Sequence, residues 1–506
     1  MKKTMILFAA GLAAVLALAT PAAGDIISGF TETVSPDAET NATEPYIAID
    51  RSDGTVWVAW QASGTHVARS DDGGRSFVQT PIVNLFGNDV GDVDIAVGGP
   101  TPCAVATATC LPGTHRVYVT SLERLPLPLQ THVAYSDDRG AHWTINDIAA
   151  VNPFLIDRPW LGVYPSKVSA NQDQVYIAYH NFTDSQIYVT ASNDGGQTFG
   201  PSIAASANTG FPSVPIPTLP PFVDSFCNTV PSGIEVDPET GEVYVQWITA
   251  DPVANTTQGC NVTQLQNFHK VWVAHSPPAV GAGPATATVW DAHPVFDGGS
   301  TTNTDEIFAT LAVDDSGKPG VGGNVYSVFP DNLAGPNVFD IWFTHSSDKG
   351  ATWAQPVKVN SDKGTHYFPW IAAGSTGRVD FIWLNSPDYT PSDVEQSPWW
   401  ATFAQTTNGA SATPKFNQTS ASSSVMHVGG ICTNGIFCSR NDGNRDLADS
   451  ISIAIDRGGS AGLVWTDQGR VLHGPTHITY GCVTSQQPAY AGANQGLSCK
   501  GPASGK

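Results

Sequence analysis

Short runs in which apolar and polar residues alternate recur along the whole chain, each four to six residues long and bounded by Gly, Pro, Asn or Asp. That is the pattern of half-buried β-strands. Seven of them end in or carry aromatics and share one shape: Val56–Trp60, Arg116–Thr120, Val175–Tyr179, Val243–Trp247, Asn324–Val328, Val379–Trp383 and Gly462–Trp465. Each follows a second, smaller-residue run: Tyr46–Asp50, Asp94–Val97, Trp160–Val163, Gly233–Val236, Thr310–Val313, Trp370–Ala373 and Ser452–Ile455. Small residues among β-branched ones suit strands crowded around a central axis. The unit repeats roughly every 65 residues, a period that marks a propeller or other repeated array. A third strand follows in every unit and a fourth in six of them, while the seventh runs out of chain. The stretch Ile26–Val34 precedes the first unit and is expected to supply the missing strand, closing the ring without an open edge.

Four third strands run into one octapeptide, S-x-D-x-G-x-x-[WF], at Ser70–Phe77, Ser136–Trp143, Ser192–Phe199 and Ser346–Trp353. Ser and Asp can hydrogen-bond within a turn, and Gly accepts a positive φ there. The aromatic is placed to pack back under the sheet. This octapeptide resembles the Asp-box, or bacterial neuraminidase repeat, of secreted bacterial propellers similar to the sialidase superfamily. The expected fold is therefore all-β: a seven-bladed β-propeller of four-stranded antiparallel blades, with Asp-boxes at the third-to-fourth strand turns and an N-terminal strand closing the last blade.

The first residues add an address. Lys2 and Lys3, an apolar run over Met5–Ala19, and Thr20–Gly24 have the three regions of a secretory signal peptide, so residues 1–24 are expected to be removed and 25–506 to form one domain. No later segment is long and apolar enough to span a bilayer as a helix. An exported chain makes disulfides the expected state of its eight cysteines, read as the near neighbours Cys103 with Cys110, Cys227 with Cys260, Cys432 with Cys438, and Cys482 with Cys499. The expected location is extracellular or periplasmic, and the expected state monomeric. A net charge of −22, from 45 acidic and 23 basic residues, argues against nucleic acid, which needs a basic face.

If the innermost strand of every unit runs the same way, the residues just ahead of it gather at one rim of the axis. They are polar there: Glu44, Asp92, Asp94, Asp157, Arg158, Asp305, Glu306, His366, Tyr367, Arg445, Asp446 and Asp449. Convergent charge from distant segments defines a candidate pocket. Asp157 with Asp305 or Glu306 has the paired-carboxyl chemistry of glycoside hydrolysis, and Arg158 with Arg445 the charge to hold a sugar carboxylate. His366 with Tyr367 has the base and acid of a polysaccharide lyase. Trp160, Trp370, Trp399 and Trp400 offer faces for sugar rings, with Tyr367 and Asp446 as further substrate contacts. Glu44, Asp92, Asp94 and Asp449 are the oxygen donors from which a Ca²⁺ site would be built, although no cofactor is required.

The resemblance implies an exo-alpha-sialidase type of glycoside hydrolase acting on extracellular glycans. Sialidases pair an arginine triad with a Tyr-Glu nucleophile and an Asp acid. Their first arginine lies in an [FY]-R-[IL]-P motif, whereas the corresponding stretch here is Asn41–Tyr46 and holds Glu44-Pro45. The alternatives are a noncatalytic glycan- or protein-binding propeller and the lyase.

Overall fold

The computed structural model describes residues 26–81, 83, 89–124, 129–147, 149–150, 156–181, 186–206, 230–249, 268–287, 289–304, 309–336, 338–388, 397–433 and 445–485. Residues 1–24, Asp305, Glu306, Cys227, Cys260, Cys438 and Cys499 lie outside them, so the expectations placed there are not taken further.

Seven antiparallel sheets form among the described residues, each built on four strands that follow chain order in six of the seven, and together they make a seven-bladed propeller. The innermost strands are Thr43–Ile49, Asp89–Pro100, Ile156–Tyr164, Val230–Val236, Thr310–Val313, Thr365–Ala373 and Ser452–Ile455. The seventh blade has the order expected for a closed ring. Ile26–Thr33 pairs with His477–Ser485, outside Ala461–Asp467 and Ser452–Ile455.

The second strands hold the blades together. Trp60, Trp247, Trp383 and Trp465 occupy one repeated position, with Tyr179 and Phe329 in its place in blades three and five, and all six are buried. Burying a large side chain of this kind contributes about 2–3 kcal/mol. The alternation that marks these strands in the sequence is therefore the sheet-on-sheet packing itself.

The four octapeptides share one hydrogen-bond scheme. The serine hydroxyl donates to the aspartate, Ser136 Oγ to Asp138 Oδ1 at 2.9 Å, and accepts from the glycine amide, Gly140 N at 2.8 Å. The same bonds join Ser70, Asp72 and Gly74, then Ser192, Asp194 and Gly196, then Ser346, Asp348 and Gly350. Each aspartate also accepts from the residue four places on, as Asp348 does from the Thr352 amide at 2.9 Å and hydroxyl at 2.6 Å. All four glycines have φ between +79° and +88°, where a side chain would be strained.

On this same lower side, where the innermost strands end, adjacent blades are tied by buried polar groups. Asp237 accepts from Gly323 N at 2.7 Å, Asp314 from Gly377 N at 3.0 Å, and Arg378 donates to Gly459 O at 3.0 Å. Cys103 and Cys110 form the expected disulfide, and Cys432 and Cys482 each belong to a further one. No helix among the described residues is long and apolar enough to cross a membrane.

Candidate active site at the upper rim of the axis

Three innermost strands start with the same local device. Glu44, Arg158 and Phe368 each precede a proline and then an aromatic, as Glu44-Pro45-Tyr46, Arg158-Pro159-Trp160 and Phe368-Pro369-Trp370. Their φ angles are +54°, +53° and +56°, and Asp92, in the matching place of blade two, has +51°. The ladder slips at each: Thr43 to Tyr46, Gly91 to Val93, Asp157 to Trp160 and Tyr367 to Trp370. A bulge of this kind re-aims a side chain, and left-handed backbone at a non-glycine residue is strain that the surrounding fold must hold in place.

The bulges have two results. The aromatics beyond them turn to the axis and meet there. Tyr46, Trp160 and Trp370 pack mutually, with ring centroids 5.5, 5.5 and 5.3 Å apart. They form a plug across the bore, with Trp160 buried and Trp370 partly buried at the contact.

Above the plug, the re-aimed polar side chains form one network. Glu44 Oε2 accepts from Asp92 N at 2.9 Å, and Asp92 Oδ2 accepts from Arg158 N at 3.2 Å. Asp157 is hydrogen-bonded to Asp92. Arg158 Nη2 donates to Asp449 Oδ2 at 3.0 Å, and Arg445 Nη1 is paired with Asp449 Oδ1. His180 stands opposite Asp157 in the strand pairing. Six of the expected site residues, Glu44, Asp92, Asp157, Arg158, Arg445 and Asp449, are thus brought together.

Their electrostatics are unequal. Burial first, then the charges of Asp92 and Asp449, push the Glu44 carboxyl up to about 8. Burial and Asp92 push Asp157 well above the carboxylate range. Burial, then Arg158, push His180 down to about 3, which leaves it a neutral imidazole. The rim therefore gathers two carboxyls that burial pushes toward the protonated form, Glu44 and Asp157, beside two guanidinium groups.

Other expected residues are placed elsewhere. His366 is fully buried, with Nδ1 2.9 Å from Phe339 O and Nε2 3.1 Å from Asp362 Oδ1, while Tyr367 packs on Phe339 and Trp399. This pair is part of blade six and is not brought to the rim. Asp446 accepts from Gln468 Nε2 at 2.8 Å and from His473 N at 3.1 Å, which makes it a loop tie. Asp94 lies below the plug, where it accepts from Ile95 N and Leu161 N, so it is separated from Glu44, Asp92 and Asp449. Among the described residues no three His, Cys, Asp or Glu side chains are arranged to hold a metal ion.

Below the plug runs a channel of about 990 Å³, walled largely by aliphatic side chains. Its walls carry Asp94, pushed up to about 7 by burial, and Glu235, pushed up to about 8 by burial and then by Asp94. Glu235 has no place among the expected site residues, yet the repeat holds its signal. At its position the other six blades carry Ala48, Ala96, Gly162, Ala312, Ala372 and Ala454.

No protein-family model matches the chain, and no curated protein matches it by sequence. Among solved structures it is similar to an ulvan lyase, described as a polysaccharide lyase, at 9% identity and a TM-score of 0.46, over 92% of this chain and 96% of that one. It is also similar to an alpha-L-arabinofuranosidase of Fusarium graminearum, at 10% identity and a TM-score of 0.41, over 91% and 98% of the two chains. A Hadza microbial sialidase matches at 11% identity and a TM-score of 0.39, over 84% and 75%.

Proposed function

We propose that the protein is an exported glycoside hydrolase of the exo-alpha-sialidase type, working at the upper rim. The observation that carries this reading is the set of strained residues Glu44, Asp92 and Arg158, held at left-handed φ around one point with Asp157 and Asp449. Strain concentrated on charged residues at a rim is a mark of a functional site. Glycoside hydrolysis needs one carboxyl with a proton to give and one without. Burial pushes Glu44 and Asp157 toward the protonated form, and Asp92, hydrogen-bonded to Asp157, is the second acidic group of the pair. In this scheme the protonated carboxyl protonates the leaving oxygen and the other supports the positive sugar carbon, directly or through a water. Arg158 and Arg445 are the charges available to an acidic sugar. The plug gives the site an aromatic floor.

One observation favours a second reading. Both guanidinium groups are already paired with Asp449, a carboxylate that stands where a ligand carboxylate would be. A noncatalytic glycan-binding propeller would keep that pairing and need no proton transfer.

The test is release of an aryl leaving group from an α-sialoside, an α-L-arabinofuranoside and a β-galactoside. Hydrolysis of the sialoside, lost in Asp157→Asn and declining in alkali as the raised carboxyls lose their protons, supports the proposal. Hydrolysis of a neutral glycoside alone would replace the sialidase type with another glycosidase. Saturable binding without hydrolysis, surviving both Glu44→Gln and Asp157→Asn, would establish the second reading.

A further inference from the structure

Away from the axis, at the top of blade six, a shallow pocket of about 240 Å³ is lined by Ser361, Asp362, Asn385, Trp400, Thr402 and Gln418, with Thr419 and Ser420 at its edge. Its place follows from the strands. Asp362 precedes the innermost strand Thr365–Ala373, Asn385 and Trp400 face each other where the second strand ends and the third begins, and Gln418 is on the fourth.

The polar side of the pocket is fixed by its own hydrogen bonds. Gln418 Oε1 accepts from Ser361 N at 2.8 Å and from Ser361 Oγ at 3.1 Å. Asn385 Nδ2 donates to Asp362 Oδ2 at 3.3 Å, and Asn385 Oδ1 accepts from Thr402 Oγ1 at 2.5 Å. Behind them the buried His366 holds Asp362 Oδ1 at 3.1 Å. Burial raises the Asp362 carboxyl, yet the His366 and Gln418 hydrogen bonds outweigh it and keep the group below the usual carboxylate range. Its side chain remains 34% exposed, so an ionised acceptor faces solvent.

One wall is therefore the half-buried Trp400 indole, and the other a set of planar amide and carboxylate groups held at fixed angles. A pyranose ring presents the matching pair of surfaces: a face of C–H groups that stacks on an aromatic ring, and a rim of hydroxyls that donate and accept in its plane. The size also fits, since about 240 Å³ accommodates a single sugar ring and little more. Preformed polar partners lower the entropy lost when hydroxyls bind.

We propose that the Trp400 pocket is a sugar-ring subsite, separate from the axial carboxyls, which binds one pyranose residue by stacking on Trp400 and hydrogen bonding to Asp362, Asn385 and Gln418. His366, read from the sequence as a base, acts here as a positioning residue for Asp362. A subsite on the same side of the ring as the axial rim, but not at it, suits a glycan longer than one residue.

The experiment uses the whole protein with ¹⁵N-labelled indoles. The resonance lost in Trp400→Phe identifies the reporter. Methyl β-D-galactopyranoside, methyl β-D-glucopyranoside and N-acetylneuraminic acid are titrated separately, with sorbitol as an acyclic polyol of similar hydroxyl content. At least one pyranose is expected to shift the Trp400 resonance saturably with a Kd of about 1–30 mM, as befits a single-ring site. Gln418→Ala is expected to weaken that binding about fivefold. No saturable shift with any sugar, an equal shift with sorbitol, or unchanged affinity in Gln418→Ala would overturn the assignment. The doubly substituted Glu44→Gln, Asp157→Asn protein is expected to titrate as the wild type does. Loss of aryl-glycoside hydrolysis as a premise thus leaves the subsite standing, and failure of the titration leaves the axial site untouched.

Discussion

Arg158 of blade three and Asp449 of blade seven are 291 residues apart in the chain and 3.0 Å apart in the fold. Both side chains are nearly buried, and Asp449 is shared with Arg445. A buried carboxylate of this kind is most valuable to its partners when it is removed, because two guanidinium groups then lose their counter-charge. Asp449→Ala is expected to lower stability by about 3–5 kcal/mol in urea unfolding, at neutral pH. A change under about 1 kcal/mol would show that the pairing with Asp449 contributes little to the fold.

The octapeptide turns predict a different sensitivity. Ser136→Ala removes the acceptor of the buried Gly140 amide and the donor to Asp138, so a loss of about 1–3 kcal/mol is expected in thermal or urea melts. At Asp348 the hydrogen bond from the Thr352 hydroxyl outweighs burial and holds the carboxyl below its ordinary value. A depressed carboxyl contributes stability above its unfolded pKa, and that contribution is lost as pH falls through the folded value. Asp348→Asn is therefore expected to destabilise at neutral pH and to matter least in strong acid, which a melting series from about pH 2 to 7 would display.

Glu235 works in the opposite sense. Its folded pKa is raised to about 8 from 4.5, so the native state holds a proton that the unfolded chain has released. The stability this supports is complete below 4.5 and declines as pH rises toward about 8. Glu235→Gln is expected to leave the melting temperature unchanged near pH 4 and to raise it near pH 8. An equal change at both would show that the carboxyl titrates normally.

The axial plug is testable by truncation. Trp160 is buried against Tyr46 and Trp370, and Trp160→Ala is expected to cost about 3–5 kcal/mol as a large-to-small core change. Trp160→Phe, which keeps a ring at the contact, is expected to cost less than half as much, measured on the same unfolding curves.

Much of the ring could be read before any coordinates, because a propeller writes its plan in repeats. All seven innermost strands, the four octapeptide turns and the closing role of Ile26–Thr33 follow from alternation and counting. The rim was legible only in part. Lying ahead of an innermost strand places a residue near the axis, but the bulge decides which way it points. Glu44, Arg158 and Phe368 share one backbone position, yet blade six fills it with an apolar residue and tucks His366 and Tyr367 into its own core. Glu235 was hidden for the reverse reason: it is a charge inside a strand and not in a loop, where six small residues at its position leave the room it occupies.

The seventh blade joins Ile26–Thr33 to His477–Ser485, with Phe30 opposite Cys482. During synthesis one of the first strands to emerge must wait for one of the last, and until then the growing array keeps an unsealed flank at each side. Completing the circle is a contact between strands far apart in the chain, which carries the largest loop-closure cost in the fold and belongs late on the folding route.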